Sequence, residues 1–158
     1  LTAVSDTGGI VRADGPDPQI VDILTRHFDL MRATSPAESC HVMAPDDLFQ
    51  AGATVLVWRD RAQVLGIGAL KPLDAQHGEL KSMHTVAEAR GRGIARAVLT
   101  ALIDEARAQR LSRVSLETGT ADMFAPARAL YAREGFAECA PFGPYVADPL
   151  SMFMTRAV

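Results

Sequence analysis

Long apolar runs are missing from this chain: none approaches the roughly 20 residues that a bilayer-spanning helix needs, so no membrane partner is expected. No basic region followed by an apolar stretch and a cleavage site stands near its start, so no signal peptide is expected either. Cysteine is scarce. Cys40 and Cys139 have no C-x-x-C spacing and suggest no disulfide framework, which reads as idle thiols in a reducing cytoplasm. Aromatic residues make up only 6% and are scattered, giving no stacking platform for single strands. Nor is there an excess of positive charge: 16 Lys plus Arg against 19 Asp plus Glu leave a net charge of −3. Neutralising phosphates calls for a basic face, so nucleic acid is not expected as a partner. The four histidines, His27, His41, His77 and His84, show no metal-ligand spacing with one another or with the cysteines, and no metal is expected.

What is present is ordinary globular material, 48% hydrophobic over 158 residues, enough for one core and one domain spanning 1–158. Gly9 to Asp14 reads as a short strand, followed by the breaker Gly15-Pro16. Asp17-Pro18 then supplies an N-cap and a first-turn proline. Ile20, Ile23, Leu24, Phe28 and Met31 recur at helical spacing, which predicts a helix to about Ala33. An irregular stretch follows, with one short helix near Asp46 to Gln50. Thr54 to Trp58 and Gln63 to Leu70 read as strands joined by a hairpin turn at Arg59 to Ala62, and Glu79 to Val86 as a fourth strand. Gly66 and Gly68 lie two apart on one face, where something approaches the backbone closely. Ile94, Val98, Leu99, Leu102, Ile103 and Ala106 form the stripe of an amphipathic helix. Arg113 to Thr118 (strand), Ala125 to Glu134 (helix closed by Gly135), Phe136 to Ala140 (strand) and Ser151 to Arg156 (strand) complete a mixed α/β sheet.

The chemistry gathers where the fourth strand, the turn Arg90-Gly91-Arg92-Gly93 and the next helix meet. Glycines let a backbone approach a ligand, and free N–H groups at a helix start point at it. With the helix dipole and two arginines this makes an anion site, and a phosphate-bearing ligand is the natural candidate. The same glycines also suit a tight turn for geometry alone. Other nucleotide motifs fail: G-x-G-x-x-G from Gly91 would need glycine where Arg96 stands, and no Lys-Ser/Thr pair completes a Walker A loop. A G-x-S-x-G nucleophile elbow is also missing.

Arg90-Gly91-Arg92-Gly93-Ile94-Ala95 resembles the Arg/Gln-x-x-Gly-x-Gly/Ala signature of the GCN5-related N-acetyltransferases (GNAT). Leu130-Tyr131-Ala132-Arg133-Glu134-Gly135-Phe136 is similar to that family's Leu-Tyr-x-x-x-Gly-Phe, and the element order matches over almost the whole chain. Glu79 to Met83, Leu116 to Gly119 and Phe124 to Tyr131 further resemble a bacterial subgroup of poorly defined substrate. The resemblance implies a mostly antiparallel sheet of about seven strands, splayed between strands 4 and 5 and flanked by about four helices. It also implies acetyl-coenzyme A (acetyl-CoA) as acyl donor. Its pyrophosphate would sit on the backbone of Arg90, Gly91, Arg92, Gly93, Ile94 and Ala95, and its pantetheine arm would pair with the strand at Met83 and Thr85, with His84 between them.

Tyr131 matches the family position that protonates the leaving sulfur. A phenol can do this while neutral at pH 7, since its reference pKa is about 10. For the base, Glu117 at the end of the fifth strand comes first and Glu79 second, each through water; a salt bridge, for example to Lys81, is the structural alternative. Many family members carry Asn seven residues before the helix tyrosine; here Phe124 stands there, with Thr118-Gly119-Thr120 upstream as substitutes. Glu38, His41 and Tyr145, in the irregular stretch and the late loop, are the candidates for binding the acceptor. The resulting expectation is an enzyme transferring acetyl to a primary amine of a small molecule or amino acid by direct attack. A peptide or protein amine is the alternative acceptor, and a non-catalytic CoA sensor the alternative function. The sequence leaves a homodimer open.

Overall fold

A computed structural model describes residues 8–158. In chain order the elements are β1 (Gly9–Ala13), α1 (Pro18–Thr34), α2 (Pro45–Gln50), β2 (Thr54–Asp60), β3 (Gln63–Pro72), β4 (His77–Thr85), α3 (Ile94–Ala108), β5 (Arg113–Gly119), α4 (Ala125–Arg133), β6 (Ala137–Cys139) and β7 (Ser151–Ala157). The strands form one seven-stranded sheet in the order β1-β2-β3-β4-β5-β7-β6. Only β4 and β5 run parallel; the other five neighbouring pairs are antiparallel. Among the described residues no helix is long and apolar enough to cross a membrane.

Local sequence accounts for the helix that opens the domain. The Asp17 carboxylate accepts from the backbone N–H groups of Gln19 and Ile20, both at 3.0 Å, and Pro18 occupies a position whose N–H would have no partner. Ile20, Ile23 and Leu24 then bury one face. Helix α3 buries all six residues of its predicted stripe, its five larger aliphatic side chains worth about 1.5–3 kcal/mol each and Ala106 less. The close approach expected at Gly66 and Gly68 is made by this helix. A Cβ at Gly68 would stand 2.5 Å from Met83 Sδ, 2.8 Å from Leu102 and 2.9 Å from Val98; one at Gly66 would stand 2.5 Å from Ile94. Bare backbone on β3 thus lets α3 press against the sheet, and this fixes where its N-terminus lies.

Most strand ends differ from expectation by one or two residues, β4 for instance starting at His77 and not Glu79, and two of the differences have a local cause. The hairpin between β2 and β3 is tighter: Asp60 still pairs with Gln63, and only Arg61 and Ala62 turn, Arg61 with φ of 56°. Strand β6 is only Ala137–Cys139, because Phe136 is withdrawn into the core, where its ring meets Tyr131 at 5.9 Å between centroids.

Candidate active site

The parallel strands β4 and β5 stay together for four residue pairs, from His77 with Arg113 to Leu80 with Leu116, and pair no further. Beyond that point the edges of both strands face a cavity of about 1010 Å³. Strand β4 is also bulged there: Ile67 pairs with His84 and Ala69 with Lys81, so Gly68 faces two residues, Ser82 and Met83. Ser82 takes a φ of 58°, in the left-handed region, and its buried hydroxyl finds no partner. A bulge re-aims the strand that carries it. Here it turns the Met83–Thr85 stretch along the cavity wall, which all three residues line.

At one end of the cavity lies the turn into α3. Gly91 and Gly93 have φ of 81° and 80°, and a Cβ built on either would meet nothing within 4 Å. No side chain caps the start of α3, so its first N–H groups are left for a ligand, with the positive end of the helix dipole behind them. Arg90, Gly91, Gly93, Ile94 and Ala95 line the cavity. Arg92 does not; its guanidinium turns to Asp60 at 3.6 Å. An open, cationic backbone cradle joined to a strand edge free to pair fits an anionic ligand, such as a diphosphate, with an extended hydrogen-bonding arm.

Two carboxylates occupy the other end. Glu79 is 2% exposed and accepts from Lys81 Nζ at 3.2 Å and from the Tyr145 hydroxyl. The Lys81 ammonium also donates to the Tyr145 hydroxyl at 3.0 Å and to the His41 carbonyl at 3.2 Å, so its three protons are all used. Glu117 is half-buried and accepts from Ser151 at 2.7 Å. Burial pushes its carboxyl above the ordinary value, against the Ser151 hydrogen bond and the charges of His41 and Lys81. Tyr131, on α4, is 6% exposed and lines the cavity, and burial raises its phenol above the usual value, keeping it neutral.

The candidates for the acceptor site separate. His41 lines the cavity. Tyr145 does not: it stands behind Glu79, its ring 4.9 Å from His41, 5.2 Å from Phe142 and 5.5 Å from Phe153. Glu38 is exposed on a short 3₁₀ turn, Ala37–Ser39, away from the cavity wall. In the same turn Ser39 donates to Asp148 at 2.5 Å, fastening the irregular stretch to the late loop. Phe124 lines the cavity and lies on Gly119, where a Cβ would come 2.3 Å from its ring. In the sequence Lys81 stands out only as a possible salt-bridge partner, and neither Ser151 nor His27 stands out as a site residue. Lys81 had a legible signal, a cation two residues from Glu79 on one strand face. Ser151 and His27 had none, because each meets its partner across a long stretch of chain.

A sheet parted between two parallel strands, with an open anion cradle at one end of the cleft and a raised carboxyl at the other, is an arrangement suited to group transfer from an anionic donor. The family model described as "Acetyltransferase (GNAT) family" matches residues 19–136, and the chain belongs to that family. It is 41% identical over 140 residues to the uncharacterized N-acetyltransferase YsnE of Bacillus subtilis (strain 168), covering 87% of this chain and 91% of that one. It is also 41% identical over 140 residues to an IAA acetyltransferase of Azospirillum brasilense, covering 87% and 88%. Among solved structures, a putative acyl-CoA N-acyltransferase from Klebsiella pneumoniae subsp. pneumoniae MGH 78578 superposes with a TM-score of 0.77 at 26% identity, over 95% of this chain and 97% of that one. A GNAT family acetyltransferase from Elizabethkingia anophelis with acetyl-CoA bound shares the fold, with a TM-score of 0.68 at 16% identity, over 97% and 99%.

Proposed function

We propose that this chain is a single acetyltransferase domain that moves the acetyl group of acetyl-CoA to the primary amine of a small molecule or amino acid. The observation that carries the reading is continuity: one cavity joins the open turn at Gly91–Gly93 to Glu117, with Tyr131 on its wall.

The backbone N–H groups from Arg90 to Ala95 and the Arg90 side chain hold the diphosphate, while Met83 and Thr85 offer backbone partners to the pantetheine arm. Glu117 faces the acceptor and, through water, takes the proton that an ammonium must lose before it can attack. Its raised carboxyl suits this task better than Glu79, which Lys81 and Tyr145 already hold. Glu79, Lys81 and Tyr145 shape the floor beneath the acceptor. Tyr131, held neutral by its surroundings, gives its proton to the departing thiolate.

The test is titration with acetyl-CoA by calorimetry, with ATP and NAD as controls, followed by thiol-release assays on a panel of L-amino acids, alkylamines and aralkylamines. Micromolar binding of acetyl-CoA alone and amine-dependent thiol release are expected. Equal binding of all three compounds would reduce the glycine turn to local geometry. Binding without thiol release from any amine would favour the non-catalytic sensor.

A further inference from the structure

His27 on α1 and His84 on β4 meet across the cavity wall with Nδ1 3.2 Å from Nδ1, their rings edge to face at 5.2 Å and 69°. Both side chains line the cavity and both are half-buried. The chemistry of this contact is restrictive. Two neutral imidazoles can bond through one nitrogen each only as opposite tautomers, one carrying its proton on Nδ1 and the other on Nε2. Two imidazoliums would set N–H against N–H.

The surroundings keep both rings neutral. Burial, the facing His84 and the Lys81 charge on β4 push His27 down to about 3. Burial, Arg90 from the turn and Arg26 from α1 hold His84 below the ordinary histidine value. With Nδ1 engaged, Nε2 is the nitrogen of His84 left for the cavity, and it makes no hydrogen bond among the described residues.

We propose that His84 and His27 form a tautomeric proton relay: His84 Nε2 takes a proton from the acceptor nitrogen during transfer, and His27 Nδ1 accepts the hydrogen bond from His84 Nδ1–H. The proposal rests on the N-acetyl transfer reading above. Forming an amide from an ammonium removes two protons from nitrogen, and Glu117 accounts for the first, which leaves to solvent. When the neutral amine forms its bond to the thioester carbon, the carbonyl pair moves to oxygen and the nitrogen becomes positive with two protons. His84 Nε2 takes one of these. The carbonyl then re-forms, the C–S bond breaks with its pair on sulfur, and the Tyr131 hydroxyl protonates the thiolate. Water in the cavity returns the relay's proton to Tyr131. The products are amide, thiol and one released proton. His27 makes the imidazolium on His84 tolerable, since the charged ring donates from Nδ1 to a lone pair already in place.

The experiment uses the full chain and the panel amine giving the most thiol release. His84→Gln is expected to lower kcat about 100-fold or more while the Kd for acetyl-CoA stays within about threefold. His27→Phe, which keeps a ring and removes the acceptor, is expected to lower kcat about tenfold and move the acid limb of the kcat–pH profile to lower pH. His27→Asn, which restores an acceptor oxygen, should recover part of both losses. Nitrogen-15 NMR of the histidine-labelled wild type should show His27 and His84 in opposite tautomers at pH 7, whatever the variants do. The same tautomer in both rings, more than a third of kcat kept by His84→Gln, or an unmoved profile in His27→Phe would overturn the relay and leave the transfer reading standing. A wild type that binds acetyl-CoA but acetylates no amine would sink both.

Discussion

Glu79 and Lys81 point from the same face of β4, and their charges meet at 3.2 Å with side chains only 3% and 9% exposed. A pair this enclosed gains little over an apolar replacement, yet breaking it from one side is costly, because a carboxylate is then left without a counter-charge. Lys81→Met is therefore expected to destabilise the chain by about 3–5 kcal/mol. Adding Glu79→Gln should recover much of that loss. Urea denaturation of both variants checks this; a cost below about 1 kcal/mol for Lys81→Met would mean that water reaches the pair.

Tyr131→Phe tests the proton donor. The ring packs against Phe136 and the substitution keeps it, so folding and acetyl-CoA affinity should remain near wild type. Turnover should fall, by roughly 100-fold if the hydroxyl serves the thiolate. Loss of binding by calorimetry would instead make Tyr131 a packing or donor-holding residue.

The two turn arginines should behave differently, although the sequence motif treats them alike. Arg92 lies on Asp60 and off the cavity wall, whereas Arg90 lines the cavity and has no ion-pair partner among the described residues. Arg90→Ala should weaken acetyl-CoA binding markedly at low salt and much less at high salt, since screening already removes its contribution there. Arg92→Ala should change binding by less than half as much. Calorimetry at two ionic strengths compares them, and equal losses would contradict the assignment.

Stability should depend on pH through His27. Its folded pKa of about 3 lies below the ordinary value of 6.5, so between those values the unfolded chain binds a proton that the folded chain refuses. Stability is full above pH 6.5 and is lost as the pH falls through this window. His27 is half-buried and not fully enclosed, which trims the effect between pH 7 and 5 to about 1 kcal/mol. Glu117 works in the opposite sense: its raised carboxyl favours the folded state as the pH falls toward that value. Denaturation of wild type and His27→Phe from pH 7 to 5 isolates the histidine's share; parallel curves would contradict it.

The fold was readable because its signals are local. The Asp17-Pro18 cap, the six-residue stripe of α3 and the glycines of the turn each act within a few residues, and periodicity carries them. The cleft needed more. Where β4 and β5 part, and that Ser82 leaves the strand's regular path, depends on pairings between distant segments. The same holds for the sites within it. Glu79, Glu117 and Tyr131 stood in recognisable motifs or at strand ends. The hold of Tyr145 on Glu79, 66 residues away, and the meeting of His27 with His84, 57 residues away, exist only once the sheet has formed. Glu38 and Arg92 show the converse: a charge of the right sign in the right segment still turned elsewhere.

The contact between Phe124 and Gly119 bears on how such a chain can change over generations. The aromatic ring occupies the volume that any larger residue at 119 would need. Neither position is therefore free to drift by itself: a side chain at 119 requires a smaller neighbour at 124, and an amide at 124 would leave a hollow that 119 could then fill. Lineages that abandon one member should be found to have abandoned the other, and the two residues will be inherited as a unit.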